Sequence, residues 1–347
     1  MPDKEGADSV GRGPAIEAAW WRPLEDGALA CELCPHRCVL REGATGICRV
    51  RRNVGGRMTL PFYGRLSSLA LDPIEKKPLH HFLPGSSVLS AGFYGCNLHC
   101  PFCQNWSIAQ TTDGEAEYVP VEDLVRSVLD AGSPSLAFTY SEPCVHFEYV
   151  LAAARAARAA GLRTVLVTNG CLNEGPAREL LAAMDAANVD LKCWPEETYR
   201  RELGGDRKAV QAFIRIGVDL CLVEVTTLVV PRISDNSADF ARIVEFLSTV
   251  SPDIPLHLSA YRPAYHYSEP PTDGRLLAAM AKTAESGLHY VYAGNLDVGM
   301  SDSHCPHCGA LLVRRRGYAT KVLGLEGSGP RTARCTGCGK TLPFVMA

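Results

Sequence analysis

The chain is 347 residues long and 46% hydrophobic, with 35 Lys and Arg against 38 Asp and Glu for a formal charge of -3. That length supports one large domain with small appendages and a full apolar core, and the near-neutral charge argues against a general nucleic-acid surface. No uncharged apolar run approaches the roughly 18 residues of a membrane span, and the polar opening is unlike a leader, so a cytoplasmic protein without membrane contact is expected.

Fifteen cysteines, an odd number in a long chain, point to reduced thiolates holding metal and not to a disulfide framework. After a polar segment over residues 1–30, "CELCPHRC" and "GATGIC" supply Cys31, Cys34, Cys38 and Cys48, defining a metal-binding segment over residues 31–60. Four thiolates can complete a tetrahedral zinc site or cap every iron of an auxiliary cubane cluster. Either metal closes the site, and both readings stay open.

A βα barrel is expected over residues 61–300. Just before its first strand lies "DPIEKKPLHHFLPGS" (72–86), rich in charge and histidine, which reads as a plain connecting loop or as a substrate or partner surface near the barrel mouth. The next cysteines, Cys96, Cys100 and Cys103 in "GCNLHCPFCQN", are spaced C-x3-C-x2-C with no fourth nearby. Three thiolates on a 4Fe-4S cubane leave one iron without a protein ligand, free to bind a substrate or cofactor. A zinc site completed by His99 or a distant residue is the alternative.

From there, β-rich segments alternate with helical ones. The strands are "SVLSAGFY", "SLAFTY", "RTVLVT", "NVDLK", "LVEVTTLVV", "PLHLSA" and "HYVYAGN", and the segments between them show helical spacing, several ending at glycine. Strict alternation predicts parallel strands with crossover helices, hence an α/β fold built as a partial or near-complete βα (TIM-like) barrel. In such barrels catalytic groups gather where strands end. The cysteine loop follows the first strand, Glu142 the second, Thr168 and Asn169 end the third, Asp190 and Lys192 the fourth, Asp235 follows the fifth and His257 lies in the sixth. Singly each is weaker: Pro143 suits a first helical turn, so Glu142 also suits a cap, and Asp190 with Lys192 suits a simple ion pair.

At the C-terminal end, "CPHCG" and "CTGCG" bring Cys305, Cys308, Cys335 and Cys338 in two glycine-terminated knuckles. This is the pattern of a zinc-ribbon-like module, expected over residues 301–347. His307 is expected to be exposed, and "RRR" at Arg314 to Arg316 to form a solvated turn.

A C-x3-C-x2-C loop after the first strand of a βα barrel, with Phe102 just before its last cysteine, resembles the radical SAM superfamily. The words "CELCPHRC", "GCNLHCPFCQNWSIAQ", "TYSEP", "TNG", "VDLK", "LHLSAYRPAY" and "VYAGN" are similar to the group of pyruvate formate-lyase activating enzymes. In particular they resemble the radical SAM enzyme of the AmmeMemoRadiSam system. The resemblance implies a 4Fe-4S cluster on Cys96, Cys100 and Cys103 whose open iron binds S-adenosylmethionine. Its reductive cleavage would give a 5'-deoxyadenosyl radical that abstracts hydrogen from a small molecule or side chain. A glycyl-radical enzyme activase is the alternative, and a non-catalytic zinc and iron-sulfur adaptor a second one.

By the same resemblance, the backbone near Phe102 contacts adenine and Glu142 holds the methionyl amine, a carboxylate facing an ammonium. Thr168, Asn169, Asp190, Lys192 and His257 would line the ribose and methionyl carboxylate. Implied partners are an electron donor such as flavodoxin or ferredoxin, and Memo-like and Amme-like proteins. The sequence departs from the pattern twice. "YSEP" stands for the usual glycine-glycine-glutamate-proline word, and Arg232 for the glycine of a "VPG" turn.

Overall fold

The computed structural model describes residues 16–111, 116, 118–296 and 298–347. Of the polar segment expected over 1–30, residues 1–15 lie outside the described residues. At the centre is an eight-stranded sheet of β1 (Ser68–Pro73), β2 (Ser87–Gly92), β3 (Ser135–Thr139), β4 (Arg163–Thr168), β5 (Ala186–Asp190), β6 (Leu222–Val229), β7 (Leu256–Ala260) and β8 (Val291–Gly294). Strands β2 to β8 pair in parallel and in chain order, while β1 pairs antiparallel with β2. The sheet thus has two ends and forms an open, partial barrel.

Six helices make the crossovers: α1 (Val121–Asp130), α2 (Phe147–Ala159), α3 (Glu174–Leu181), α4 (Arg207–Leu220), α5 (Ser237–Val250) and α6 (Gly274–Ala284). Their starts have local chemical causes. Asp206, Asn236 and Asp273 each accept backbone amides of the first turn of α4, α5 and α6, satisfying donors that have no partner inside the helix. All seven strands expected from the sequence are present. Strand β1 is additional; Leu69 and Leu71, its alternating apolar residues, face outward, so its period signals no buried face.

The floor of the sheet is apolar. Val88, Val165, Ala186 and Leu222, at or near the first residues of their strands, cluster with Ile74, Phe82 and Val345. The C-terminal end reaches this floor through a parallel bridge between Phe82 and Val345, and Phe344 stacks on His81 with ring centroids 3.7 Å apart. With the bottom filled, the barrel is accessible at the C-terminal ends of its strands.

Two expectations are corrected here. The 72–86 segment is not a plain solvent loop, because Lys77, His80 and His81 are buried in it. Nor is "RRR" a solvated turn: it lies in a strand, Leu311–Arg316, and Arg315 is 1% exposed. Its guanidinium donates to Ser303 Oγ at 2.8 Å and to the His80 carbonyl at 2.7 Å, which compensates for burying the charge. No helix is long and apolar enough to cross a membrane among the described residues.

Candidate active site

The strand ends of β2 to β5 converge on one cavity of about 310 Å³. Cys96, Cys100, Phe102 and Cys103 line it from the loop after β2, Glu142 from the turn after β3, Thr168 and Asn169 from the end of β4, and Asp190 and Lys192 from the end of β5. The loop needs a glycine at its start: Gly95 has φ 78°, and a Cβ there would fall 2.4 Å from the Cys48 carbonyl oxygen. His99 does not line this cavity; its ring lies over Gly204, so it is not placed to complete a zinc site with the three thiols.

Burial pushes all three thiols up, Cys100 to about 11, with the Glu142 carboxylate adding to the effect at Cys96 and Lys192 opposing it at Cys100. Buried thiols become thiolates only when a cation stands beside them. Three of them around one cavity therefore fit a cationic iron-sulfur cluster. Cys96 Sγ also accepts the Leu98 amide at 3.3 Å, a bond that favours its anionic form.

Glu142 is 1% exposed. It accepts from Thr168 Oγ1 at 2.6 Å, from the Asn169 amide at 2.7 Å and from the Cys144 amide at 3.1 Å. Burial pushes its carboxyl up, and these donors pull it back only in part. A carboxylate offers about four lone-pair sites, so one remains for a donor in the cavity. The capping role is real as well, since the Cys144 amide belongs to the short helix that follows. Asn169 spans to the cysteine loop, donating to Asn97 Oδ1 at 2.9 Å and to Cys96 Sγ at 3.6 Å.

Lys192 donates to Asp190 at 2.8 Å. Burial works against its charge, but Asp190 and the Cys100 thiol hold it well above the ordinary lysine range, so it is a fixed cation at the cavity wall. Phe102 is buried, edge-on to Tyr267.

His257 is placed elsewhere. It lines a second cavity of about 600 Å³ with His80, Tyr292 and Arg315, and its Nε2 lies 2.6 Å from the fully buried Glu224. Lys76 and Ser259 line both cavities. His257 thus reaches the triad's cavity only through its neighbours.

Sequence reasoning missed Asp72, Lys76, Lys77 and Tyr140. Lys76 and Lys77 donate to Asp72 at 2.7 and 2.6 Å, the Tyr140 hydroxyl donates to the same carboxylate, and Lys76, Lys77 and Tyr140 line the first cavity. Burial alone would raise the Asp72 carboxyl, yet the three donors hold it far below its usual range. One signal was available: Tyr140 occupies the first glycine position of the family word, and it has φ 74°, the left-handed conformation that glycine adopts freely.

At the other end of the chain the C-terminal quartet is compact. The Sγ atoms of Cys305, Cys308, Cys335 and Cys338 all lie within 4.8 Å of one another, with Cys305 to Cys338 at 3.7 Å and Cys308 to Cys335 at 3.8 Å. Four sulfurs held about 2.3 Å from a tetrahedral zinc have this spacing. His307 is exposed.

An open parallel barrel brings three thiols at its mouth into one cavity with an acid, an amide and a lysine, a donor set that fits an iron-sulfur cluster and a charged cofactor. The sequence matches the radical SAM superfamily model over residues 92–247, and the chain belongs to that superfamily, whose members use a 4Fe-4S cluster and S-adenosylmethionine. It is 35% identical over 337 residues to an uncharacterized protein of Methanocaldococcus jannaschii, covering 95% of this chain and 99% of that one. A candidate glycyl-radical enzyme activating enzyme of the same organism is 27% identical over 165 residues, 44% of this chain and 66% of that one. A solved domain of pyruvate-formate lyase-activating enzyme from Bacteroides vulgatus is 14% identical, with a TM-score of 0.40, over 46% of this chain and 99% of that one.

Proposed function

We propose that this protein is a radical SAM enzyme that reductively cleaves S-adenosylmethionine and abstracts hydrogen from a small molecule or a side chain. The observation that carries the reading is the single cavity shared by Cys96, Cys100, Cys103, Glu142, Asn169 and Lys192. Cys96, Cys100 and Cys103 would hold the cluster; when bound, cluster and cofactor together supply a 5'-deoxyadenosyl radical. The chain's own residues position and shield. Glu142, with one lone-pair site left, takes the methionyl ammonium, and Lys192 takes the methionyl carboxylate. Asp190 and Thr168 offer oxygens to the ribose hydroxyls, and buried Phe102 walls the adenine side and keeps water out. His257, set in the adjoining cavity, faces the substrate side in this reading. Residues 61–300 act as the catalytic unit, with 31–60 and 301–347 as metal-bearing appendages to it.

Anaerobically reconstituted protein given dithionite and S-adenosylmethionine should release 5'-deoxyadenosine. No release from protein with an intact cluster would refute the proposal. A second reading, a glycyl-radical enzyme activase, is favoured by the partial likeness to the Methanocaldococcus activating-enzyme candidate; it requires the radical to pass to a backbone glycine of a partner. In the cell, a cytoplasmic flavodoxin or ferredoxin would supply the electron, and Memo-like and Amme-like proteins are the proposed partners.

A further inference from the structure

The N-terminal quartet is the group whose metal the sequence leaves open. We infer that Cys31, Cys34, Cys38 and Cys48 hold a second four-iron cluster, not zinc, seated against the backbone that carries Cys96.

Sulfur spacing is the first ground. Zinc at about 2.3 Å from each thiolate draws the sulfurs to within about 4 Å of one another, as in the C-terminal quartet. Among the described residues, no three of the N-terminal thiols have sulfurs all within 4.8 Å of one another, and the same holds for Cys96, Cys100 and Cys103. A cubane binds each thiolate at a separate iron corner, so its sulfurs stand wider apart than those of a single ion. The N-terminal quartet has the open spacing of the triad and not the tight spacing of the knuckles. Gly46 sits between two of them: a Cβ there would touch both Cys48 Sγ at 3.7 Å and Cys38 Sγ at 3.8 Å. Arg51, 1% exposed, is paired with Glu148 at 2.5 Å and lies within electrostatic reach of Cys31 and Cys48, so the quartet has a buried ion pair beside it.

Placement is the second ground. The quartet's loop touches both neighbours of Cys96. The Cys48 carbonyl presses on Gly95, and His36 Nε2 donates to the Asn97 carbonyl at 2.7 Å. A redox centre here is joined to the triad by a few covalent bonds and one hydrogen bond. On the radical SAM reading above, it would lose one electron as the triad's cluster gains one, and a low-potential flavodoxin- or ferredoxin-class donor would restore it.

The test is iron, sulfide and zinc content after anaerobic reconstitution, in wild type and in the C96A/C100A/C103A variant. Wild type should hold about eight irons and the variant about four, each with about one zinc. A variant with no iron and about two zincs overturns the inference, and if wild type then holds about four irons the proposed function survives it. About four irons in both proteins would uphold the second cluster and refute the triad. Should the variant not fold, dithionite-reduced wild type decides: two paramagnetic signals of equal spin, one perturbed by S-adenosylmethionine, are expected, and a single perturbed signal overturns the inference.

Discussion

Tyr140 donates its hydroxyl to Asp72 from a backbone position with φ 74°, so a strained residue after β3 is tied to a carboxylate at the end of β1. The Lys77 ammonium lies over the same ring, 4.2 Å from its centroid. This fixes the two lysines of the 72–86 segment at the cavity wall.

Replacing Tyr140 with Phe keeps the strain, about 1–2 kcal/mol for a left-handed non-glycine residue, and removes a bond to a charged group contributing about 1.5–3 kcal/mol. Y140F should therefore lose roughly 2 kcal/mol in urea unfolding at neutral pH. Unchanged stability would show that the hydroxyl does not hold Asp72 in solution.

Glu142→Gln puts an amide NH2 among three donors and takes away the charge that, in the proposed function, would face the cofactor amine. A charge-assisted bond of about 1.5–3 kcal/mol corresponds to roughly 10- to 100-fold weaker S-adenosylmethionine binding. Titration of reconstituted E142Q should give that loss while the cluster absorbance stays at the wild-type level. Equal affinity would confine Glu142 to its cap.

His81 and His146 are buried, and burial holds both rings at about 4 instead of 6.5, against the pull of their carbonyl partners. Unfolding restores ordinary basicity, so the unfolded chain binds more protons. Stability is then complete above about pH 6.5 and falls as the pH drops toward 4. A tenfold change in proton affinity is about 1.4 kcal/mol, so the two rings together cost several kcal/mol across that window. H146Q, which retains a donor for the Tyr94 carbonyl, should flatten the slope of stability against pH between 6.5 and 4. A slope equal to wild type would assign the effect to other groups.

Metal removal should act locally at the C-terminal quartet. Cys308 and Cys338 are exposed, so a zinc chelator reaches them in the folded protein. Chelation should lower the unfolding temperature by several degrees and increase hydrogen exchange at the Val345 amide, which donates to the His81 carbonyl. Iron content should not change; iron lost in step with zinc would contradict separate sites.

Much of the fold was legible because parallel strands buried on both faces read as apolar runs and their helices as amphipathic ones. Strand β1 was hidden by its outward leucines. At the site, the strand-end residues could be read as a set because barrel topology brings strand ends together. The tie of Tyr140 to Asp72 could not: the two lie 68 residues apart, and no local period encodes such a contact, although the Lys77–Asp72 pair is local. Arg232, the second departure from the family glycines, likewise has φ 64° and pairs with Glu269 at 3.2 Å while facing solvent. In both places the backbone keeps the glycine conformation after the glycine is gone, which spacing alone does not reveal. His257 was misplaced for a related reason: its partner Glu224 lies on the neighbouring strand, where it reads as one polar residue in an apolar run.

The unequal exposure of the cysteines implies unequal rates of metal exchange. Cys31, Cys34, Cys48 and Cys100 are buried, whereas Cys308 and Cys338 stand open to solvent. An ion at the C-terminal quartet could enter or leave after the chain has folded. Cys38, Cys96 and Cys103 are only partly covered, so metal at the other two groups would have to pass between partly closed loops and would exchange more slowly than at the C-terminal end.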